Sequence, residues 1–230
     1  MSRDLSRLLE HPAIWRGRSA ARTKTLPSGF AALDEGLPGG GWPHAGLIEI
    51  LPTCFGAGEL SLLLPALAAV TRRPQARWCA WVAPPLQPFG PALAERGVAL
   101  ERVLVVNPPK TVVKGKSALW PDTRSPPYAL RASGGGPKAV GWTFEQILRS
   151  GACDIALAWL RSALPRQIRR LHLAAERGDT LGVLFRPREA ARDSSPAVLR
   201  VAVEPTAPGA RVTLLKSRGG ARGSIELSWH

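Results

Sequence analysis

The chain has 230 residues and a mass of 24.6 kDa, enough for one large domain or two small ones with a sizeable core. Apolar residues make up 45%, which excludes a wholly disordered chain. Basic residues number 31 against 17 acidic, a formal charge of +14 with a pI near 11.2, so an acidic partner is expected: nucleic acid first, an anionic surface second. Only six of the basic residues are Lys, and Ala, Gly and Pro abound. A GC-rich coding sequence produces the same bias without selection for nucleic acid.

In chain order, Leu5, Leu8 and Leu9 recur at helical spacing, so residues 2–10 read as a short amphipathic helix. A basic stretch follows with Arg16, Arg18, Arg22 and Lys24. After the flexible turn at Gly39, Gly40 and Gly41, residues 46–51 (GLIEIL) read as a buried strand. Residues 60–70 read as a helix that Pro65 would kink. Then come a strand at 78–83, a short helix at 91–96 ended by Gly97, and a strand at 103–106. A helix at 143–149, a strand at 155–160, a helix at 165–176 and a strand at 181–185 complete the alternation. Apolar strands alternating with helices predict a parallel sheet covered on both faces. Residues 198–203, 211–215 and 224–229 lack intervening helices and predict an antiparallel carboxyl-terminal extension.

Residues 110–138 break the rhythm with Pro121, Pro126, Pro127, Pro137 and a glycine triplet, and they are strongly basic. They are expected to be a disordered basic insertion. The predicted organisation is therefore an amino-terminal helix and arm over 1–24 and a core over 25–230 interrupted at 110–138.

Cys54, Cys79 and Cys153 are odd in number and far apart, and His11, His44, His172 and His230 are equally scattered. That argues against a disulfide framework and a zinc site, and no metal is expected. No apolar run approaches the roughly 20 residues that span a bilayer, and the first residues lack a signal-peptide core. A soluble cytoplasmic protein without membrane contact is expected.

The most specific stretch begins with Ser28-Gly29 and Leu33-Asp34 and continues through Gly39-Gly40-Gly41, Pro43, Gly46 and Glu49-Ile50. In order and spacing this resembles the approach to a RecA-type ATPase core. Where the phosphate loop would follow, the chain reads Gly56-Ala57-Gly58-Glu59. A working loop needs G-x-x-x-x-G-K-[ST], with Lys on the β/γ oxygens and a hydroxyl on magnesium. Gly58 stands at the lysine position and Glu59 at the hydroxyl position, and a carboxylate repels polyphosphate. The acidic catalytic base that the resemblance implies after the second strand is replaced by Pro84. Trp159 replaces the magnesium-holding Asp. Asp154 precedes that strand and is expected to be structural. The expectation is a RecA-like α/β fold, mostly parallel with helices on both faces, that is not an enzyme and takes no cofactor.

Beyond that core, residues 56–67, 148–153, 169–176, 184–187, 195–200 and 215–220 resemble ImuA-type proteins, accessory factors of SOS-induced error-prone DNA synthesis. That resemblance implies a non-catalytic adaptor binding an inactive polymerase-like partner, ImuB, beside a DnaE2-type polymerase, with RecA and non-specific DNA as further partners and self-association open. Two other readings stand beside it: a cell-division inhibitor like SulA, another degenerate RecA relative, and an ATP-dependent recombinase. Binding to the tubulin-like division protein FtsZ would separate the first from the adaptor.

Candidate contact residues fall in four groups. At about 100° per residue, Arg166, Arg169, Arg170 and Arg177 cluster on one helix face, opposite Leu164, Ile168, Leu171 and Ala175. Arg186, Arg188 and Arg192 mark the following loop, and Lys216 and Arg218 flank the Gly219-Gly220 turn. These are candidates for nucleic acid or a protein partner through phosphate-type, salt-dependent contacts. Leu5, Leu8, Leu9, Ile14 and Trp15 form an apolar arm suited to a neighbouring subunit or partner.

Overall fold

The computed structural model describes residues 24–54, 58–108, 136–217 and 223–229. The strands are β1 (Thr25–Leu26), β2 (Trp42–Pro43), β3 (Gly46–Pro52), β4 (Trp78–Val82), β5 (Val103–Val106), β6 (Cys153–Trp159), β7 (Leu181–Phe185), β8 (Leu199–Thr206), β9 (Gly209–Ser217) and β10 (Gly223–Ser228). The helices are α1 (Ala31–Gly36), α2 (Leu64–Thr71), α3 (Gly90–Glu95), α4 (Pro137–Ser150) and α5 (Pro165–Arg177), with single 3₁₀ turns at Leu100–Arg102 and Arg188–Arg192.

Among the described residues the main sheet runs β5-β4-β6-β7-β3-β8-β9-β10. Its first five pairings are parallel and the last two antiparallel. The fold is mixed α/β with a mostly parallel central sheet, as expected. The strand β3 lies in the middle, with every residue buried. Its pleat sends Ile48 and Ile50 to one side and Leu47 to the other, so each face feeds a different core. Leu33, Leu67 and Leu93 from α1, α2 and α3 fill the first face. Phe144 and Leu148 of α4 fill the second with Ile168 and Leu171 of α5.

The predicted strands at 103–106 and 181–185 coincide with β5 and β7. Three helical expectations are corrected. Residues 58–63 are turns, and α2 starts at Leu64 with Pro65 in its first turn. Pro65 therefore initiates a helix, where its missing N–H costs nothing, and does not kink one. The helix expected at 143–149 begins at Pro137, inside the supposed insertion. Leu164, assigned to the buried face of α5, is 55% exposed because it is the extended N-cap residue outside the helical repeat. The rest of that face is as expected: Ile168, Leu171 and Ala175 are buried while Arg166, Arg169, Arg170 and Arg177 are exposed.

Candidate functional site

The loop that the sequence likens to a phosphate loop follows β3 at the carboxyl edge of the sheet. Thr53 anchors its start, its N–H and its hydroxyl both donating to the Val203 carbonyl at 3.0 and 3.1 Å. Gly58 has φ +89°, and a Cβ built on it would lie 2.6 Å from Cζ2 of Trp229. Trp229 in turn meets Phe30 edge to face at 5.6 Å. Glu59 is buried, 4% exposed. Gly58 thus faces an indole, and its neighbour Glu59 carries a carboxylate into the interior. Gly56 lies outside the described residues.

The positions after β4 and at the end of β6 carry apolar side chains. Ala83 follows β4 with φ +51° and leads into the buried Pro84. Trp159 ends β6 stacked on Phe185 at 4.7 Å and tilted against Trp81 at 5.9 Å. Asp154 lies within β6 and not before it, and its carboxylate accepts from the Arg77 backbone N–H and Nε at 2.7 and 2.9 Å. Its role is to join β4 to β6. Among the described residues no group of His, Cys, Asp and Glu could hold a metal ion. None of the three cysteines is in a disulfide. Burial pushes the Cys79 thiol up to about 12 and the Cys153 thiol up to about 11.

Sequence reasoning missed the main electrostatic feature. Glu49, in the centre of β3, is fully buried. One carboxylate oxygen accepts from Arg186 Nη1 at 3.0 Å and the other from Arg200 Nε. Arg186 also donates to Asp193 at 2.8 Å, and Arg200 donates to the carbonyls of Asp193 and Ala190 at 3.0 and 2.6 Å. The network pins the Arg188–Arg192 turn to the middle of β3. The available signal is a charge inside an apolar run.

This network corrects Arg186 as a surface contact: it is 2% exposed and committed to carboxylates. The other candidate cations do not converge on one face. Arg170 pairs with Glu145 and Arg188 with Glu204, while Lys216 donates to the Ser195 carbonyl at 2.6 Å. Arg166, Arg169, Arg177 and Arg192 are exposed on α5 and the 3₁₀ turn. Arg218 and the arm residues Leu5, Leu8, Leu9, Ile14 and Trp15 lie outside the described residues, as does most of 110–138. No helix among the described residues is long and apolar enough to cross a membrane.

No family model matches the chain. The chain is 29% identical over 149 residues to the cell division inhibitor SulA of Edwardsiella piscicida, covering 64% of this chain and 71% of that protein. It is 24% identical over 139 residues to SulA of Photorhabdus laumondii, 60% of this chain and 63% of that one. The crystal structure of SulA from Pseudomonas aeruginosa aligns with 61% of this chain and 97% of its own, at 21% identity and a TM-score of 0.41. The two curated relatives overturn the ImuA-type reading. The translesion adaptor role goes with it, and so do its partners: ImuB, RecA, a DnaE2-type polymerase, DNA and a self-associated form. The similarity this chain carries over more than half its length is to inhibitors of cell division.

Proposed function

We propose that this chain is an inhibitor of cell division of the SulA type, acting in the cytoplasm by binding the tubulin-like division protein FtsZ. The observation that carries the reading is its 29% identity over 149 residues with a SulA. A binding role also agrees with the loop after β3. Gly58 faces Trp229, Pro84 stands at the position of a catalytic base, and Trp159 is stacked in the core where a magnesium-holding Asp would be needed. We therefore read the chain as non-catalytic.

We further read 25–230 as one RecA-like core preceded by an arm over 1–24. The support is a single continuous sheet in which β3, followed by the glycine-containing loop and α2, lies between β7 and β8.

The test is induction of the chain in a rod-shaped bacterium, together with sedimentation of FtsZ polymer in its presence. Filamentous cells and a loss of sedimentable polymer are expected. Normal division while the folded protein accumulates, with unchanged polymer yield, refutes the reading.

A further inference from the structure

We propose that the outer surface of α4 and α5 is a peripheral docking face for a lipid bilayer rich in anionic headgroups. The inference goes beyond the division reading and does not depend on it. It takes up the anionic surface that the composition ranks second, and such contact needs no spanning segment.

Charge in this fold is divided by the sheet. Within their spans, the helices on the first face, α1, α2 and α3, carry Asp34, Glu35 and Glu95 and no basic residue. Arg72, Arg73 and Arg96 lie beyond the ends of α2 and α3. The helices on the second face, α4 and α5, carry Lys138, Arg149, Arg166, Arg169, Arg170 and Arg177, all exposed. Their carboxylates, Glu145 and Glu176, are taken up by Arg170 at 2.5 Å and by His172 at 3.3 Å. A coding bias adds arginine without regard to side, so it does not account for this division.

The two helices form one layer. Gly141 lies against Gln167, Arg170 reaches Glu145, and Gly178 lies against the Leu148 carbonyl. At about 3.6 residues per turn, Lys138, Trp142 and Arg149 share one stripe of α4, and Arg166, Arg170, Leu173 and Arg177 share one of α5. Both stripes face away from the buried Phe144, Leu148, Ile168 and Leu171. Trp142 is 63% exposed and Leu173 43%. Leu173 has Arg169, Arg170 and Arg177 three or four positions away, and Trp142 has Lys138 and Glu145.

That composition selects the occupant. The centre of a protein–protein interface is apolar and depleted of charge, whereas here each large apolar side chain stands singly among charged ones. Single-stranded nucleic acid takes a row of stacked aromatic side chains, and this face exposes Trp142 as its one aromatic. An anionic bilayer matches what is present. Cations on long stems reach the headgroups, while an isolated indole and a leucine between them enter the interface.

The experiment is co-sedimentation of the full chain with vesicles of phosphatidylcholine, alone or mixed with phosphatidylglycerol. Saturable binding to the mixed vesicles, released by salt, is expected, with little to phosphatidylcholine alone. Arg166→Gln with Arg177→Gln should weaken it on the order of thirtyfold. Arg72→Gln with Arg73→Gln removes the same charge away from the face and should leave binding nearly unchanged. With bromine-labelled lipid in the vesicles, binding should quench part of the tryptophan fluorescence, and Trp142→Ala should abolish that quenching. All of these residues are exposed, so thermal melts should coincide with wild type and separate docking from folding. No binding to the mixed vesicles overturns the proposal. Equal losses in the two paired variants also overturn it, by reducing the effect to net charge, and so does quenching that persists in Trp142→Ala. Vesicles ignored while an oligonucleotide or polyglutamate binds through Arg166 and Arg177 overturns it in favour of nucleic acid or an acidic protein.

Discussion

Gly58 and Trp229 face each other so closely that a Cβ on the glycine would lie 2.6 Å from the indole. The backbone at Gly58 also sits at φ +89°, a region side chains avoid. Gly58 therefore has neither the space nor the backbone conformation for a lysine. Gly58→Lys combined with Glu59→Thr should yield no magnesium-dependent ATP hydrolysis and should destabilise the fold by about 1–3 kcal/mol. Phosphate release and urea denaturation measure the two halves. Opening space with Trp229→Gly should leave hydrolysis absent, because Pro84 and Trp159 still lack the base and the magnesium ligand. Turnover in the double variant would mean that the loop chemistry is intact.

The Glu49 carboxylate sits between two arginines in the interior. Buried ion pairs gain little over apolar packing, but breaking one leaves a charge stranded. Glu49→Leu should cost about 3–5 kcal/mol by strands and loops losing their shared anchor. Converting Arg186→Met and Arg200→Leu as well should recover most of that loss. Denaturant midpoints across the series test the argument, which fails if Glu49→Leu alone is as stable as wild type.

Cys79 and Cys153 are buried, and both thiols are pushed up, to about 12 and about 11, from the ordinary value of 9.0. Cys54 is half-buried and should react first with a thiol reagent, the other two only on unfolding. Above pH 9 the unfolded chain gives up protons that the folded chain keeps. Stability should therefore fall as pH rises from 9 toward 11, by about 1.4 kcal/mol per pH unit for each thiol. A Cys79→Ala, Cys153→Ala protein should show a flatter profile there, and an identical slope would contradict the assignment.

The parts of the fold visible in the sequence share a physical cause. Residues 103–106 and 181–185 are unbroken apolar runs bounded by turns, and α5 separates its charged and apolar faces cleanly. The first half of α4 was hidden because Pro137 follows a glycine-rich stretch and Gly141 interrupts the apolar period. Glu49 was seen, but its partners lie 137 and 151 residues further along, and such pairings leave no local pattern. The family reading failed for a related reason. A missing lysine, base and magnesium ligand are common to any RecA relative that has lost nucleotide chemistry, so they cannot separate an ImuA-type adaptor from a SulA-type inhibitor. Similarity to a SulA along 149 residues favours the inhibitor reading over the adaptor.

Arg77, just before β4, draws four segments together. Its Nε donates to Asp154 at 2.9 Å, and Nη1 donates to the carbonyls of Gly151 and Gly178 at 2.9 and 3.1 Å. Nη2 donates to the Asp179 carbonyl at 2.5 Å. Those carbonyls lie just beyond the carboxyl ends of α4 and α5, where unsatisfied acceptors and the negative end of each helix dipole favour a cation. Lysine keeps the charge but offers a single donor centre in place of the planar fork. Arg77→Lys should then lose most of these bonds at a cost of about 1–3 kcal/mol, with Arg77→Ala somewhat worse. Because the turns at Gly151 and Gly178 lead into β6 and β7, amide hydrogen exchange should rise there first, ahead of any change at β9 and β10. Uniform exchange across the sheet, or a melting profile unchanged in Arg77→Lys, would show that the side chain rests on these carbonyls without holding them.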